Sequence, residues 1–148
     1  GYGARGRIYS AFAQKYPEKF ELVAIIENNP ERIKQAKVIF EKVPVYTDYR
    51  TFLADKVEAD IVAIATQDDQ HREHAIEMMG AGYDLLLEKP IDNKKEDCEA
   101  IYKVSKQLGK KVIVCHVLRY SPFYSTLKRI IDDGKIGKVM SIHASENV

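Results

Sequence analysis

The 148-residue chain has no tryptophan, only two cysteines and a formal net charge of only +1. Cys98 and Cys115 lie far apart, with no C-x-x-C spacing and no Cys/His cluster, which argues against a disulfide scaffold or a zinc module. Each falls in an apolar pattern, where cysteine behaves as a small hydrophobe, so both are read as buried free thiols in a reducing, cytoplasmic protein. The balance of 23 Lys and Arg against 22 Asp and Glu lacks the basic excess that marks a nucleic-acid or anionic-membrane partner. No apolar run approaches the length of a membrane span. What is present, 45% hydrophobic and 30% charged residues, excludes a disordered tail or a fibrous repeat and can enclose a core. The chain opens GYGARGR, with no initiator methionine and no apolar strand before it, so further residues are expected ahead of Gly1.

Periodicity divides the chain into alternating units. Helical spacing is expected over Gly6–Tyr16 (Ile8, Ala11 and Phe12 in phase), Pro30–Glu41, Tyr49–Ala54, Asp69–Gly80, Asn93–Leu108 and Pro122–Asp133. On Asn93–Leu108, Cys98, Ile101, Tyr102, Ser105 and Leu108 share a face. Short apolar runs at Glu21–Glu27, Val43–Thr47, Asp60–Ala65, Tyr83–Leu87, Lys111–Val117 and Lys138–Ser145 read as strands. Because the strands are continuously apolar and helices separate them, the fold class is α/β, a doubly wound parallel sheet of Rossmann type. Such a sheet needs a central strand before the glycine turn, so it should lack its first strand and show an open slot there. Residues 1–120 are assigned to this domain, and residues 121–148 to the beginning of a second α/β domain.

Gly1-x-Gly3-x-x-Gly6 fits a dinucleotide fingerprint. The first glycine permits the tight turn, the second lets the backbone approach a pyrophosphate, and the third allows close helix–strand packing. An amphipathic helix follows, and the next strand ends in Glu27, which can bind ribose hydroxyls and would repel a 2′-phosphate. That favours NAD over NADP, although Arg32 lies near enough to weaken the preference. Ligands in such sheets gather beyond the carboxyl ends of the strands. Those ends supply Glu27, Thr66 (a contact for the nicotinamide ribose or pyrophosphate), Glu88-Lys89-Pro90, and His116 through Tyr120. Lys89 follows a buried LLL run, where partial desolvation would favour the neutral amine and make proton exchange feasible, although spacing alone favours a lysine that reaches solvent at the strand end. The Lys89–Pro90 bond is a candidate cis peptide. His71 and His74 share a helix start but have no third ligand, so no metal site is expected. His116 and His143 read as core residues of strands.

Taken in order, GYGARGR, IENNPER, ATQDDQH, GYDLLLEKP and VLRYSPFY resemble the N-terminal part of the glucose–fructose oxidoreductase/inositol dehydrogenase/MocA-like oxidoreductase family. The resemblance implies NAD(P)-linked hydride transfer from a secondary hydroxyl of a sugar, cyclitol or related polyol, in an enzyme that forms homo-oligomers. It places Gly1, Tyr2, Gly3, Gly6, Glu27, Thr66, His71, Glu88 and Lys89 on the cofactor side. Lys89 would be the catalytic lysine beside the nicotinamide and the reacting hydroxyl, and Arg119 and Tyr120 would lie near the substrate or the domain crossing. Thr66-Gln67-Asp68 departs from the family's usual Thr-Pro-Asn. The second acid–base group, usually a histidine, is expected past Val148. Two other readings keep the cofactor: an NAD-dependent glycoside hydrolase of the α-N-acetylgalactosaminidase type, and a non-catalytic dinucleotide-binding sensor.

Overall fold

A computed structural model describes residues 1–145. The elements, in order, are α1 (Ala4–Lys15), β1 (Ile25–Ile26), α2 (Pro30–Ile39), β2 (Val45–Tyr46), α3 (Tyr49–Ala54), β3 (Ile61–Ile64), α4 (His71–Gly80), β4 (Asp84–Leu87), α5 (Lys95–Leu108), β5 (Val112–Val114) and α6 (Pro122–Asp132). Local chemistry sets several of the boundaries. Pro30 supplies the first helical residue of α2, and the Asn29 side chain accepts hydrogen bonds from the amides of Glu31 (3.0 Å) and Arg32 (3.2 Å). Asp48 caps α3 through the Arg50 amide at 2.8 Å. Gly109 stops α5 with a left-handed φ of 63°, which a side chain would resist.

All strand pairs are parallel, and they fall into two sheets: β1 with β2, and β3–β4–β5 in that order. The β3–β4 ladder aligns Ile61 with Asp84 and Ile64 with Leu87. Between β1 and β3 lies a cleft of about 1990 Å³, whose walls include Ile25, Ile26, Ile61 and Ile64. The expected slot is therefore present.

The larger core lies on the three-stranded sheet and joins Phe52, Ile64, Ala75, Met78, Met79, Tyr83, Leu85, Leu87 and Ile101. Each large apolar side chain buried there contributes roughly 1.5–3 kcal/mol. A second, smaller core on the two-stranded side contains Tyr2, Ile25, Ala36 and Phe40.

Several expectations need correction. On α1, Ile8 and Phe12 are exposed, Phe12 at the border of the cleft, and Ser10 is the buried residue of that helix. On α5, Ile101 is buried while Tyr102 and Leu108 are exposed, because the stripe that packs on the core passes through Val104 instead. Cys115 is buried, but Cys98 is only half-buried. His116 and His143 are exposed and belong to no strand. Lys138–Ser145 forms no strand either, since no partner among the described residues supplies a ladder for its backbone groups.

The chain forms two compact units, Gly1–Cys115 and the segment from His116 onward. No helix among the described residues is long and apolar enough to cross a membrane.

Candidate functional site

The glycine turn is built by close backbone approach. A Cβ at Gly6 would lie 2.0 Å from the Gly1 carbonyl oxygen, and one at Gly1 would lie 2.7 Å from the Ala65 carbonyl oxygen. Both positions exclude every side chain, and the second contact seats the turn on the carboxyl end of β3. Gly3 differs. A Cβ there would meet only the Arg32 guanidinium, at an ordinary 3.5 Å, so the surrounding protein does not require glycine. Gly3 caps α1 without a side-chain hydrogen bond, leaving the first amides of the helix to face whatever approaches.

Glu27 ties this turn to β1. Its carboxylate is 5% exposed and accepts hydrogen bonds from the amides of Tyr2 (2.6 Å), Asn28 (3.0 Å) and Asn29 (2.9 Å). The Arg32 guanidinium lies 3.6 Å away. Burial alone would raise the Glu27 pKa, but the Asn29 and Tyr2 amides, with Arg32, hold it below the usual carboxylate range. The acid and the fingerprint thus meet as expected. Tyr2 takes part through its backbone, while its buried ring packs edge-on against Phe40 at 6.3 Å.

Thr66 follows β3 and is half-buried, its hydroxyl 3.1 Å from His74 Nδ1. Burial, the largest influence, holds the His74 imidazole below its ordinary pKa, which favours the neutral ring at neutral pH. His71 is fully buried, and its Nδ1 lies 2.9 Å from the Pro90 carbonyl oxygen, leaving Nε2 without a partner. It therefore touches the loop that carries Lys89 and not the glycine turn. The same loop is fixed further along by Asp92, whose carboxylate accepts from the amides of Arg72 and Lys94, both at 3.2 Å.

Glu88 and Lys89 leave the end of β4 on opposite sides, as successive residues of an extended chain do. Glu88 is buried and accepts hydrogen bonds from the Tyr9 hydroxyl and from the Lys89 amide (3.1 Å), with Arg5 Nε at 3.7 Å. Lys89 is exposed, reaching solvent just past the buried Leu87 and Glu88. The Lys89–Pro90 peptide is cis. Arg119 and Tyr120 lie in the second unit, on a short 3₁₀ turn, Val117–Tyr120. Tyr9, which touches Glu88 directly, was not legible as a site residue. Only its place one helical turn beyond Gly6 could have drawn notice. Among the described residues no cluster of three or more His, Cys, Asp or Glu could hold a metal.

Comparison with known proteins decides the family. Residues 1–116 match the oxidoreductase family described as having an NAD-binding Rossmann fold. This chain belongs to the Gfo/Idh/MocA family. Inositol 2-dehydrogenase 2 of Saccharopolyspora erythraea is 32% identical across 62% of this chain and 27% of its own length. Myo-inositol 2-dehydrogenase from Lactobacillus plantarum superposes with a TM-score of 0.86 at 26% identity, covering 94% of this chain and 41% of that one. The WlbA dehydrogenase from Bordetella pertussis, solved with NADH and UDP-GlcNAcA, also gives 0.86 at 26% identity, over 93% and 41% of the two chains. This Gfo/Idh/MocA chain thus spans well under half the length of these relatives. Its Rossmann fold is that of an NAD-binding family, and the glycine contacts and the acid at the end of β1 fit a dinucleotide.

Proposed function

We propose that this chain is the cofactor-binding part of an NAD-dependent oxidoreductase acting on a secondary hydroxyl of a sugar, cyclitol or related polyol. The Tyr2 amide on the Glu27 carboxylate carries the reading, because it brings the glycine turn and the ribose-recognising acid to one place. Gly1, Gly3 and Gly6 would hold the pyrophosphate at the start of α1, and Glu27 the adenosine ribose. To meet ribose hydroxyls, Glu27 must give up part of its present shell, and the half-exposed Arg32 at 3.6 Å is the partner most easily displaced. When bound, the nicotinamide supplies the hydride acceptor.

Lys89, leaving the carboxyl end of β4, would exchange the proton of the reacting hydroxyl oxygen, with Glu88 fixing the backbone from which it projects. Thr66 would face the nicotinamide ribose or pyrophosphate, and Arg119 and Tyr120 the substrate. His71 would act on the cofactor side through the Pro90 carbonyl that it touches. The substrate class rests on the relatives, which include inositol dehydrogenases and a dehydrogenase solved with a nucleotide sugar. The intact protein would be a homo-oligomer.

Replacing Lys89 with Ala in the intact protein should abolish NADH formation from a polyol panel while NAD still binds. Turnover unchanged by the substitution would remove Lys89 from the chemistry. Net NADH accumulation also separates a dehydrogenase from a glycoside hydrolase that returns its hydride, and any turnover excludes a pure sensor.

A further inference from the structure

The helix that begins at the glycine turn carries one buried polar link to the loop of Lys89. Tyr9 lies one helical turn beyond Gly6, and its hydroxyl donates to the Glu88 carboxylate while standing 3.2 Å from Cys115 Sγ. Glu88 and Cys115 are the residues that follow β4 and β5. They are held in register by the Cys115 amide on the Leu87 carbonyl at 2.9 Å, and the Glu88 amide is bonded to the Ile64 carbonyl at 3.0 Å. One phenol therefore spans the carboxyl ends of two parallel strands from a third element.

The chemistry favours a fixed direction. Burial first, then Cys115 and Glu88, raise the Tyr9 pKa, so the phenol keeps its proton at any pH at which the protein works. Burial likewise pushes the Cys115 thiol up. With the single Tyr9 hydrogen committed to the carboxylate, the thiol is left as donor to the phenol oxygen. Arg5 also approaches Glu88, but its side chain is nearly half exposed at 3.7 Å and adds only screened attraction.

We propose that Tyr9 is a positioning residue that couples occupancy of the glycine turn to the placement of Lys89, acting through Glu88. The proposal rests on the dinucleotide reading above. A dinucleotide settling on the start of α1 would bias the helix, and the phenol would pass that bias to the carboxylate whose neighbour is Lys89. The alternative is that the Tyr9–Glu88 bond only stabilises the fold.

The test is the rate at which Lys89 is acetylated by acetic anhydride in the intact protein, followed by peptide mass spectrometry with and without saturating NADH. Calorimetry confirms that NADH is bound. The native protein should show an NADH-dependent change on the order of tenfold, in the range of an ordinary coupling between sites. Tyr9→Phe should reduce that change to below about twofold while NADH still binds, and Ile8→Ala on the same helix should leave it intact. If Tyr9→Phe fails to fold, Glu88→Gln, which keeps the shape and weakens the charge-assisted bond, should show the same loss. An undiminished response in the folded variant, whatever its melting temperature, would show the bond to be structural only. A native protein that binds NADH with no change at Lys89 would also overturn the coupling. A native protein that binds no NADH would remove the cofactor reading, and this inference with it.

Discussion

The two sides of the cleft are held together by different forces. On the three-stranded side, nine buried residues form a continuous apolar core, with Leu87 fully buried. On the two-stranded side only Tyr2, Ile25, Ala36 and Phe40 are buried together, and Ile25 borders the cleft. There the structure relies on backbone contacts at Gly1 and Gly6 and on a carboxylate that gathers three amides. Burial of apolar area is non-directional and tolerates small shifts, whereas hydrogen bonds and carbonyl contacts fix positions to within tenths of an ångström. The bulk on the other side supplies a firm base for the loop that projects Lys89.

Core truncation tests this contrast most strongly. Leu87→Ala should cost about 2–5 kcal/mol and fall in the upper part of that range, because the surroundings cannot collapse into the hole. Ile25→Ala should fall at the lower end of the same range, since it belongs to a core of only four buried residues and is itself less completely buried than Leu87. Denaturant titration of both variants would break the comparison if their costs were equal.

Gly6→Ala should destabilise by about 3 kcal/mol or more, because the added carbon meets a carbonyl oxygen that cannot be moved without reshaping the turn. Gly3→Ala should cost only about 1 kcal/mol, the loss of glycine's N-cap preference, since its new methyl group makes only ordinary contact. Thermal melts of the pair would show whether the fold or a ligand needs each glycine.

A smaller effect follows from Glu27. Its folded-state pKa is held below the unfolded value, so its contribution to stability is fully present above roughly pH 4.3 and is lost as pH falls through the folded-state value. Glu27→Gln should flatten that part of the acid unfolding curve. An acid limb with the same steepness in the variant would assign the effect to other carboxylates.

The same contrast explains what could be read from the sequence. Tyr49–Ala54 and the start of α6 at Pro122 were legible because a capping aspartate and a proline act locally. The fingerprint and Glu27 were legible because their chemistry fixes both residue type and spacing. The link from α1 to the loop of Lys89 was not, since it joins Tyr9 to Glu88, which are far apart in the chain. The exposure of Lys89 agrees with the reading that spacing alone favours, a lysine reaching solvent at a strand end. A run of three leucines predicts burial nearby, but which side of an extended chain each residue takes depends on the sheet beneath it. Tyr102 and Leu108 looked inward by period alone, and the packing of α5 selected Val104 instead.

The central claim is that the glycine turn and Glu27 form a dinucleotide site whose middle glycine is required by the ligand and not by the fold. Calorimetric titration of NADH into the intact protein and its Gly3→Ala variant, beside their melting curves, tests this directly. The account predicts binding by the native protein, weakened at least about tenfold in the variant, a loss of about 1.4 kcal/mol, with a melting temperature lowered far less than by Gly6→Ala. Equal affinity in the two proteins, or no binding by the native one, would contradict it.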